Sequence, residues 1–453
     1  MTGPDTGSGS APEPVATRVV RRLAEVSARL TYREIEVVAS GDPRSGPVLI
    51  VSNHFGGVAD AVLLVFLSQR FPRIVARDVI WKVPVVGWLM GTIRAIPVHK
   101  AEDAGDGRST NDAMFGSCYE ALHEGALVLI FPEGVTQDDP YLAPVKTGAA
   151  RIALGARAAG TPGIAIQPVG IHYEDKAAFR SRVLVAFGAP IDLDQSVNAM
   201  DPAPGPANAD NRAAVDELND AITDGMTNAA PNYRDWDEAG ELHLSATVAL
   251  RQTTVQEGAD IGDVPLALTE QLGARLATRD PERRQPVQET ARRYRASLAG
   301  LRMSDYQLAG STGTARLVGR LAVDGLLMLL LLPYALIGVV LGAVPYLLVQ
   351  ATRLIPAAPA VRATILPLVA LVVFVADWVW VAVAAANAGG WSFGAVVALL
   401  VPLFVGATVI VGERAVLVWR TVRSWVAARR AGRPITAARE QRADLLEAVR
   451  EAL

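Results

Sequence analysis

One cysteine in 453 residues, Cys118, excludes an internal disulfide, a thiolate zinc site and a redox pair, so a reducing compartment is expected. The histidines other than His54, namely His99, His123, His172 and His243, show no ligand spacing and are read as structural or surface residues, with no metal implied. Lysine is almost missing, 4 residues against 39 arginines, and all four fall between positions 82 and 176. Aromatic residues make up only 6%, and the net charge of −3 argues against a dedicated nucleic-acid binder. No basic start followed by an apolar run opens the chain, which predicts no cleaved secretory leader. The Gly/Ser/Pro-rich residues 1–15 read instead as a disordered tail. No repeat of fixed period is visible.

What the sequence holds in excess is apolar length. Hydrophobic residues reach 51%, and they are concentrated near the end. Between Arg320 and Arg353 the only charge is Asp324, and from Ala363 to Gly412 the only charge is Asp377. Each stretch exceeds the ~20 residues of one bilayer crossing. The second is interrupted by Asn387-Ala388-Gly389-Gly390, which predicts a two-span membrane hairpin over residues 363–412.

In front of these spans the pattern changes twice. From Tyr32 onward, short β-rich runs alternate with helical stretches: Val48 to Ser52, Arg73 to Ala76, Ala95 to Val98, Ala126 to Phe131, Ile164 to Val169 and Arg182 to Phe187. That alternation predicts an α/β domain over residues 32–200, a sheet flanked by helices. After the linker Pro202 to Ala207, the polar, Arg-rich residues 208–310 follow a helical period and predict a helical module. The fold class is therefore α/β, then helical, then an all-α membrane-embedded C-terminal region.

The first chemical signal is Ser52-Asn53-His54-Phe55-Gly56-Gly57-Val58-Ala59-Asp60, a histidine and an aspartate at the junction of a strand and an apolar helix. A histidine so placed can take a proton from an alcohol while the carboxylate fixes its tautomer and stabilises the imidazolium that forms. No nucleophilic side chain accompanies the pair, so a substrate hydroxyl is the natural nucleophile. The alternative is a His and an Asp that merely cap a strand and a helix. Downstream, Phe131-Pro132-Glu133-Gly134 ends a strand, and Lys146-Thr147-Gly148 opens a helix, an arrangement suited to an anion such as phosphate. Arg94 and Lys100 flank the short strand between them.

Four blocks in this order resemble the glycerolipid acyltransferase family, which includes glycerol-3-phosphate and 1-acylglycerol-3-phosphate acyltransferases. They are Asn53-His54 to Asp60, Trp81-Lys82-Val83-Pro84 to Ile96-Pro97-Val98-His99-Lys100, Phe131 to Gly134 with Lys146-Thr147-Gly148, and Gln167-Pro168-Val169-Gly170-Ile171. Five residues separate His54 from Asp60 where the family usually has four, a spacing similar to a branch with fungal glycerol-3-phosphate acyltransferases and bacterial relatives. Phe179-Arg180-Ser181-Arg182 and Phe187-Gly188-Ala189-Pro190-Ile191 resemble that branch too. The resemblance implies a membrane-bound O-acyltransferase with catalytic His54 and Asp60 and with Arg94, Lys100, Glu133, Gly134 and Lys146 binding substrate. It implies no cofactor, acyl-CoA or acyl carrier protein as thioester co-substrate, a glycerol phosphate or lysophospholipid acceptor, and membrane lipids as partners. The family's Gly-Thr-Arg is Val135-Thr136-Gln137 here, so Lys146, Lys100 or Arg94 would have to meet the phosphate. A structural role for Glu133, a different lysolipid, glycolipid or amino-lipid acceptor, and an inactive scaffold of the same fold stay open.

The positive-inside rule sets the expected topology. Arg316 and Arg320 precede the first apolar stretch, Arg353 and Arg362 follow it, and an arginine cluster from Arg414 follows the last. Residues 321–352, with Pro333 and Pro345 as breaks, are therefore expected to form a re-entrant hairpin. Residues 413–453 are expected to be a cytoplasmic helical tail, and residues 16–31 an amphipathic helix lying on the same surface or packed on the domain. The active site is expected at the cytoplasmic face of the cell membrane.

Overall fold

The computed structural model describes residues 14–41, 45–82, 84–98, 109–176, 178, 180–200, 206–256, 264–309, 314–351, 359–430 and 432–453. The expected tail lies outside these as far as residue 13, and Val15 already opens a helix. Lys100 and His99 also lie outside the described residues. Two units, Met1–Asn232 and Tyr233–Leu453, divide the chain.

In the first unit, α1 (Val15–Thr31) leads straight into β1 (Tyr32–Ala39), then β2 (Val48–Ser52), α2 (Val58–Leu67) and β3 (Arg73–Arg77). A 3-10 turn (Asp78–Lys82) precedes α3 (Pro84–Thr92), β4 (Ile96–Val98), α4 (Ser109–His123), β5 (Leu127–Ile130) and α5 (Gly148–Ala158). The unit closes with β6 (Ala165–Tyr173), β7 (Ser181–Phe187), β8 (Ile191–Asp192), α6 (Leu193–Ala199) and α7 (Arg212–Ala229). The sheet order is β1-β7-β6-β2-β5-β3-β4, with β8 beside β6. From β6 to β4 all neighbours are parallel, while β7 runs antiparallel to β6 and β1 runs parallel to β7. The ends of β2, β5 and β6 therefore meet at one edge, together with the start of β1.

Strand alternation sends successive side chains to opposite faces. Leu49, Val51, Val128 and Ile130 join a core with Cys118 and Leu122 of α4, Ile152 of α5 and Leu218 and Ile222 of α7. Val48, Ile50, Leu127 and Leu129 join the other, with Ala24 and Ala28 of α1 and Leu63 and Leu64 of α2. The apolar stripe of α1 is exposed at Val15, Val19, Leu23, Val26 and Leu30, since the small residues take the packed side. Helix α7 thus belongs to the sheet domain, which corrects the expected module boundary at residue 208. His172 Nε2 lies 2.8 Å from the Ala229 carbonyl oxygen, and Gly170 leaves room for the same carbonyl. Burial of the Cys118 thiol pushes its pKa up to about 12, so it packs as a small apolar group.

In the second unit, α8 (Trp236–Gln256), α9 (Leu266–Ala277), α10 (Pro281–Leu301) and α11 (Asp305–Ala309) precede α12 (Thr314–Ala351), α13 (Pro359–Gly389), α14 (Trp391–Arg430) and α15 (Gly432–Ala452). Three of these helices are long and apolar enough to cross a membrane, over Leu321–Ala351, Val372–Gly389 and Trp391–Arg423. The expected re-entrant hairpin is absent: α12 is one unbroken helix of 38 residues with Pro333 and Pro345 inside it. An interior proline removes one backbone donor and can bend a long helix without ending it. At 1.5 Å per residue α12 is about 57 Å long, well beyond a hydrocarbon core of about 30 Å.

Helices α12 and α14 run antiparallel. Arg414 Nη1 donates to Asp324 Oδ1 at 2.8 Å, Thr408 Oγ1 to the Ala335 carbonyl at 2.9 Å, and Gly338 lets the Phe404 backbone approach. Helices α13 and α14 turn about Gly390, whose φ of +85° suits glycine. The expected C-terminal tail is not free: Ile435, Ala438, Leu445 and Val449 of α15 share a core with Leu242 and Val248 of α8 and Ala291 and Tyr294 of α10. At its centre buried Asp305 accepts from Tyr294 and Arg442, each at 2.7 Å, and pairs with Arg251. Since α10 and α15 share this core, the chain before α12 and the chain after α14 lie on the same side of any membrane the bundle spans.

Candidate active site

His54 stands two residues beyond the end of β2, where the chain turns into α2. Asn53, fully buried, fixes the turn by a reciprocal pair with Ile171 of β6: Nδ2 donates to its carbonyl at 3.1 Å, and Oδ1 accepts from its N–H at 2.8 Å. Gly57 then takes φ +62° and precedes the first turn of α2, which carries Asp60. The positive end of that helix favours a carboxylate there.

Asp60 is completely buried, and its Oδ2 lies 2.9 Å from His54 Nδ1. The same oxygen accepts the Gly56 N–H at 2.8 Å, and Oδ1 accepts the Tyr173 hydroxyl at 2.5 Å. A carboxylate facing Nδ1 holds the proton on that nitrogen and leaves Nε2 as the basic atom. The imidazole stacks on Phe131 at 4.0 Å between ring centres, while its side chain keeps 21% of its exposure.

Glu133 sits just past the end of β5 and is buried at 1% exposure. Its Oε1 accepts the His54 backbone N–H at 2.8 Å, and its Oε2 accepts from the Ala143 N–H and Gln137 Nε2, each at 3.1 Å. Burial pushes its carboxyl above the usual carboxylate range, and the N–H groups of His54 and Ala143 pull the other way. With both oxygens engaged, Glu133 locks the His54 loop to the β5 loop. Gln137, which stands where the resembling family has arginine, also donates its N–H to the His54 carbonyl at 3.3 Å.

Gly134 has φ +67°, and a Cβ there would lie 2.7 Å from Lys146 Nζ, so glycine lets this cation approach. The Lys146 N–H bonds the Pro132 carbonyl at 3.1 Å, and α5 begins two residues later with its N-terminus beside the same loop. His54, Asp60, Glu133, Gly134 and Lys146 are thus gathered at one strand end. Arg94 is not with them. It precedes β4, its side chain is 74% exposed, and its neighbour is Glu124 at 4.0 Å, which precedes β5. Both lie at the opposite edge of the sheet, about 13 Å away along the four residues of β5 at about 3.3 Å each. Among the described residues, no group of three His, Cys, Asp or Glu side chains could hold a metal.

Asn53, Phe131 and Gln137 stand in or beside the sequence blocks but are given no role by them, and Tyr173 enters the site from outside any block. Tyr173 comes from the far end of β6, 113 positions from Asp60. The only trace in the sequence is its place at the end of a strand-like run.

Residues 29–172 match the model of the family described as Acyltransferase. These residues form an acyltransferase-family domain. The chain is 37% identical over 128 residues to glycerol-3-phosphate O-acyltransferase 2 of Saccharomyces cerevisiae, covering 28% of this chain and 16% of that protein. It is 35% identical over 107 residues to a chloroplastic 1-acyl-sn-glycerol-3-phosphate acyltransferase of Brassica napus, covering 24% and 29%. With the lyso-ornithine lipid O-acyltransferase of Pseudomonas aeruginosa it shares 32% identity over 166 residues, covering 35% and 55%. The chain therefore spans only part of each of these relatives' length.

Proposed function

We propose that this chain is a membrane-bound O-acyltransferase that moves a fatty acyl group from a thioester of coenzyme A or acyl carrier protein to a hydroxyl of glycerol 3-phosphate or 1-acylglycerol 3-phosphate. The observation that carries this reading is the His54–Asp60 pair at 2.9 Å, at a strand end inside an acyltransferase-family domain. Nε2 of His54 takes the proton of the acceptor hydroxyl as its oxygen attacks the thioester carbonyl carbon. Asp60 stabilises the imidazolium that forms. The tetrahedral intermediate then expels the thiolate, which takes the proton back from His54, so no acyl-enzyme forms and no cofactor is consumed.

Lys146 and the N-terminus of α5 lie beside the loop, while Lys176, paired with Asp138, reaches the Gln137 carbonyl, and these support a phosphate-bearing acceptor. One observation favours a second reading. Gln137 stands in place of arginine and is spent on the loop, Arg94 is at the other edge, and a relative acts on lyso-ornithine lipid, as its name states. A lysolipid without phosphate is therefore the competing acceptor. Consumption of acyl thioester by the purified full-length protein, assayed in parallel with glycerol 3-phosphate, its 1-acyl derivative and an uncharged lysolipid, separates the two. Turnover confined to the uncharged lysolipid overturns the phosphate assignment, and no turnover with any of them overturns acyl transfer.

Among the described residues no candidate span lies between the acyltransferase domain and α12. The arginines that precede α12 (Arg316, Arg320) and follow Val411 (Arg414, Arg420, Arg423, Arg429, Arg430) outnumber Arg353 and Arg362 between the spans, which favours the cytoplasmic side for the former. We place the site at the cytoplasmic face of the cell membrane, where a water-soluble thioester and a lipid product are both within reach.

A further inference from the structure

The hydrogen bonds of Asp60 extend past the pair that the reaction needs. Oδ2 serves His54 and Gly56, while Oδ1 is held by the Tyr173 hydroxyl at 2.5 Å. That hydroxyl has one proton, and it is given to the carboxylate. Tyr32 is buried at 7% exposure, and the two rings lie 5.9 Å apart. Three strands bring them together, because β7 pairs with β1 at Tyr32 and with β6 at Tyr173. Glycine at position 56 fits the same arrangement: a Cβ there would lie 2.4 Å from the Tyr173 hydroxyl and 2.8 Å from Oδ1.

We propose that Tyr173, backed by Tyr32 and admitted by Gly56, is the positioning residue that fixes the Asp60 carboxylate against His54 in this five-residue loop. The inference rests on the acyl-transfer reading. A carboxylate held by one oxygen alone can rotate about its bond to Cβ and lose the in-plane contact with Nδ1. The hydroxyl bond on Oδ1 removes that freedom without touching substrate. Burial, and next the charge of Asp60, push the Tyr173 phenol well above its ordinary range, so it remains a donor throughout the working pH range.

The test uses full-length protein and the variants Tyr173→Phe, Asp60→Asn and Asp60→Asn/Tyr173→Phe. Tyr173→Phe should lower kcat about 10- to 100-fold, the equivalent of one hydrogen bond to a charged group, with acceptor KM unchanged within about two-fold. In the Asp60→Asn background the Tyr173→Phe change should cost nothing further, since both act through one carboxylate. A kcat for Tyr173→Phe within two-fold of the parent, or a full loss that persists on top of Asp60→Asn, overturns the proposal. Carbethoxylation of His54 by diethyl pyrocarbonate, followed by mass spectrometry with His243 as internal reference, needs no substrate. It should slow several-fold in Tyr173→Phe, and an unchanged rate overturns the positioning role even if every acceptor fails and the acyl-transfer reading falls.

Discussion

The strand-end site and the apolar bundle solve opposite problems with polar groups. At the site many polar atoms converge within one loop, and each carboxylate oxygen of Asp60 and Glu133 accepts at least one hydrogen bond. The long apolar helices carry few polar side chains, and their registers are set by small residues and by isolated polar contacts such as Asp324–Arg414. In the first region the geometry of one proton is fixed by many short hydrogen bonds. In the second the path of the chain depends on which helices pair, and a single ion pair between distant helices carries that information. Removing a group should therefore change rate in the first region and stability or topology in the second.

The largest contrast is expected at His54. His54→Ala removes the base and should lower kcat by about 10²- to 10⁴-fold. Asp60 then keeps the Gly56 N–H and the Tyr173 hydroxyl but loses the imidazole, so a modest fall in the thermal midpoint should accompany the far larger loss of rate. Turnover within a few-fold of the parent would rule out His54 as the base.

In the bundle the corresponding change is Arg414→Ala, which leaves buried Asp324 unpaired. The expected cost is about 2.5 to 3.5 kcal/mol, the range for an acidic group at membrane depth, read as a lowered thermal midpoint in detergent, with kcat retained where the protein is folded. The same helix pairing makes a topological prediction. Gly338 faces Phe404, and Ala351 and Trp391 each lie the same number of residues beyond that contact, so both mark one end of the bundle. In that arrangement α12 and α14 cross while both ends of α13 lie on one side, against the expected two-span hairpin over residues 363–412. Cysteines placed at residues 315 and 435 should be shielded from an impermeant label in intact cells, and those at 351 and 390 should react. Shielding at 351 with reaction at 390 would restore the re-entrant hairpin over residues 321–352.

These two regions also differ in how much of them could be read from residues alone. The strands over Val48–Ser52 and Arg73–Arg77 announce themselves as short apolar runs between turns, and His54 and Asp60 as a polar pair at a strand end. Strand β1 does not. Its sequence YREIEVVA continues from α1 with no glycine or proline between them, and it lies at the sheet edge with charged side chains exposed. Tyr173 and Asn53 act across 113 and 118 positions, and no local pattern encodes such pairings. Arg94 fails for a related reason: a cation near a short strand can stand at either end, and only the sheet order says which. The prolines of α12 read as breaks because their cost is local, while the contacts that pair the whole helix with α14 come from residues far along the chain.

A smaller effect is expected at Lys146, whose ammonium is exposed beside Gly134. Lys146→Ala should raise the KM of a phosphate-bearing acceptor about 10-fold, the lower end for a hydrogen bond to a charged group, with little change in kcat. Impairment confined to the acyl thioester would move Lys146 to the donor side of the site.

The smallest effect separates the two edges of the sheet. Arg94 has a φ of +53° at the turn between α3 and β4, and its guanidinium reaches Glu124 with most of its surface in water. An exposed pair of this kind contributes about 0 to 1 kcal/mol. Arg94→Ala should therefore leave kcat and acceptor KM within about two-fold of the parent and change stability by no more than about 0.5 kcal/mol. Arg94→Gly tests the backbone separately, since glycine adopts the left-handed conformation at lower cost and should be at least as well tolerated as alanine. If Arg94→Ala instead raised acceptor KM as strongly as Lys146→Ala, the acceptor would have to reach both edges of the sheet. A small glycerol phosphate cannot span that distance, so such a result would point to a second phosphate contact away from the His54 loop.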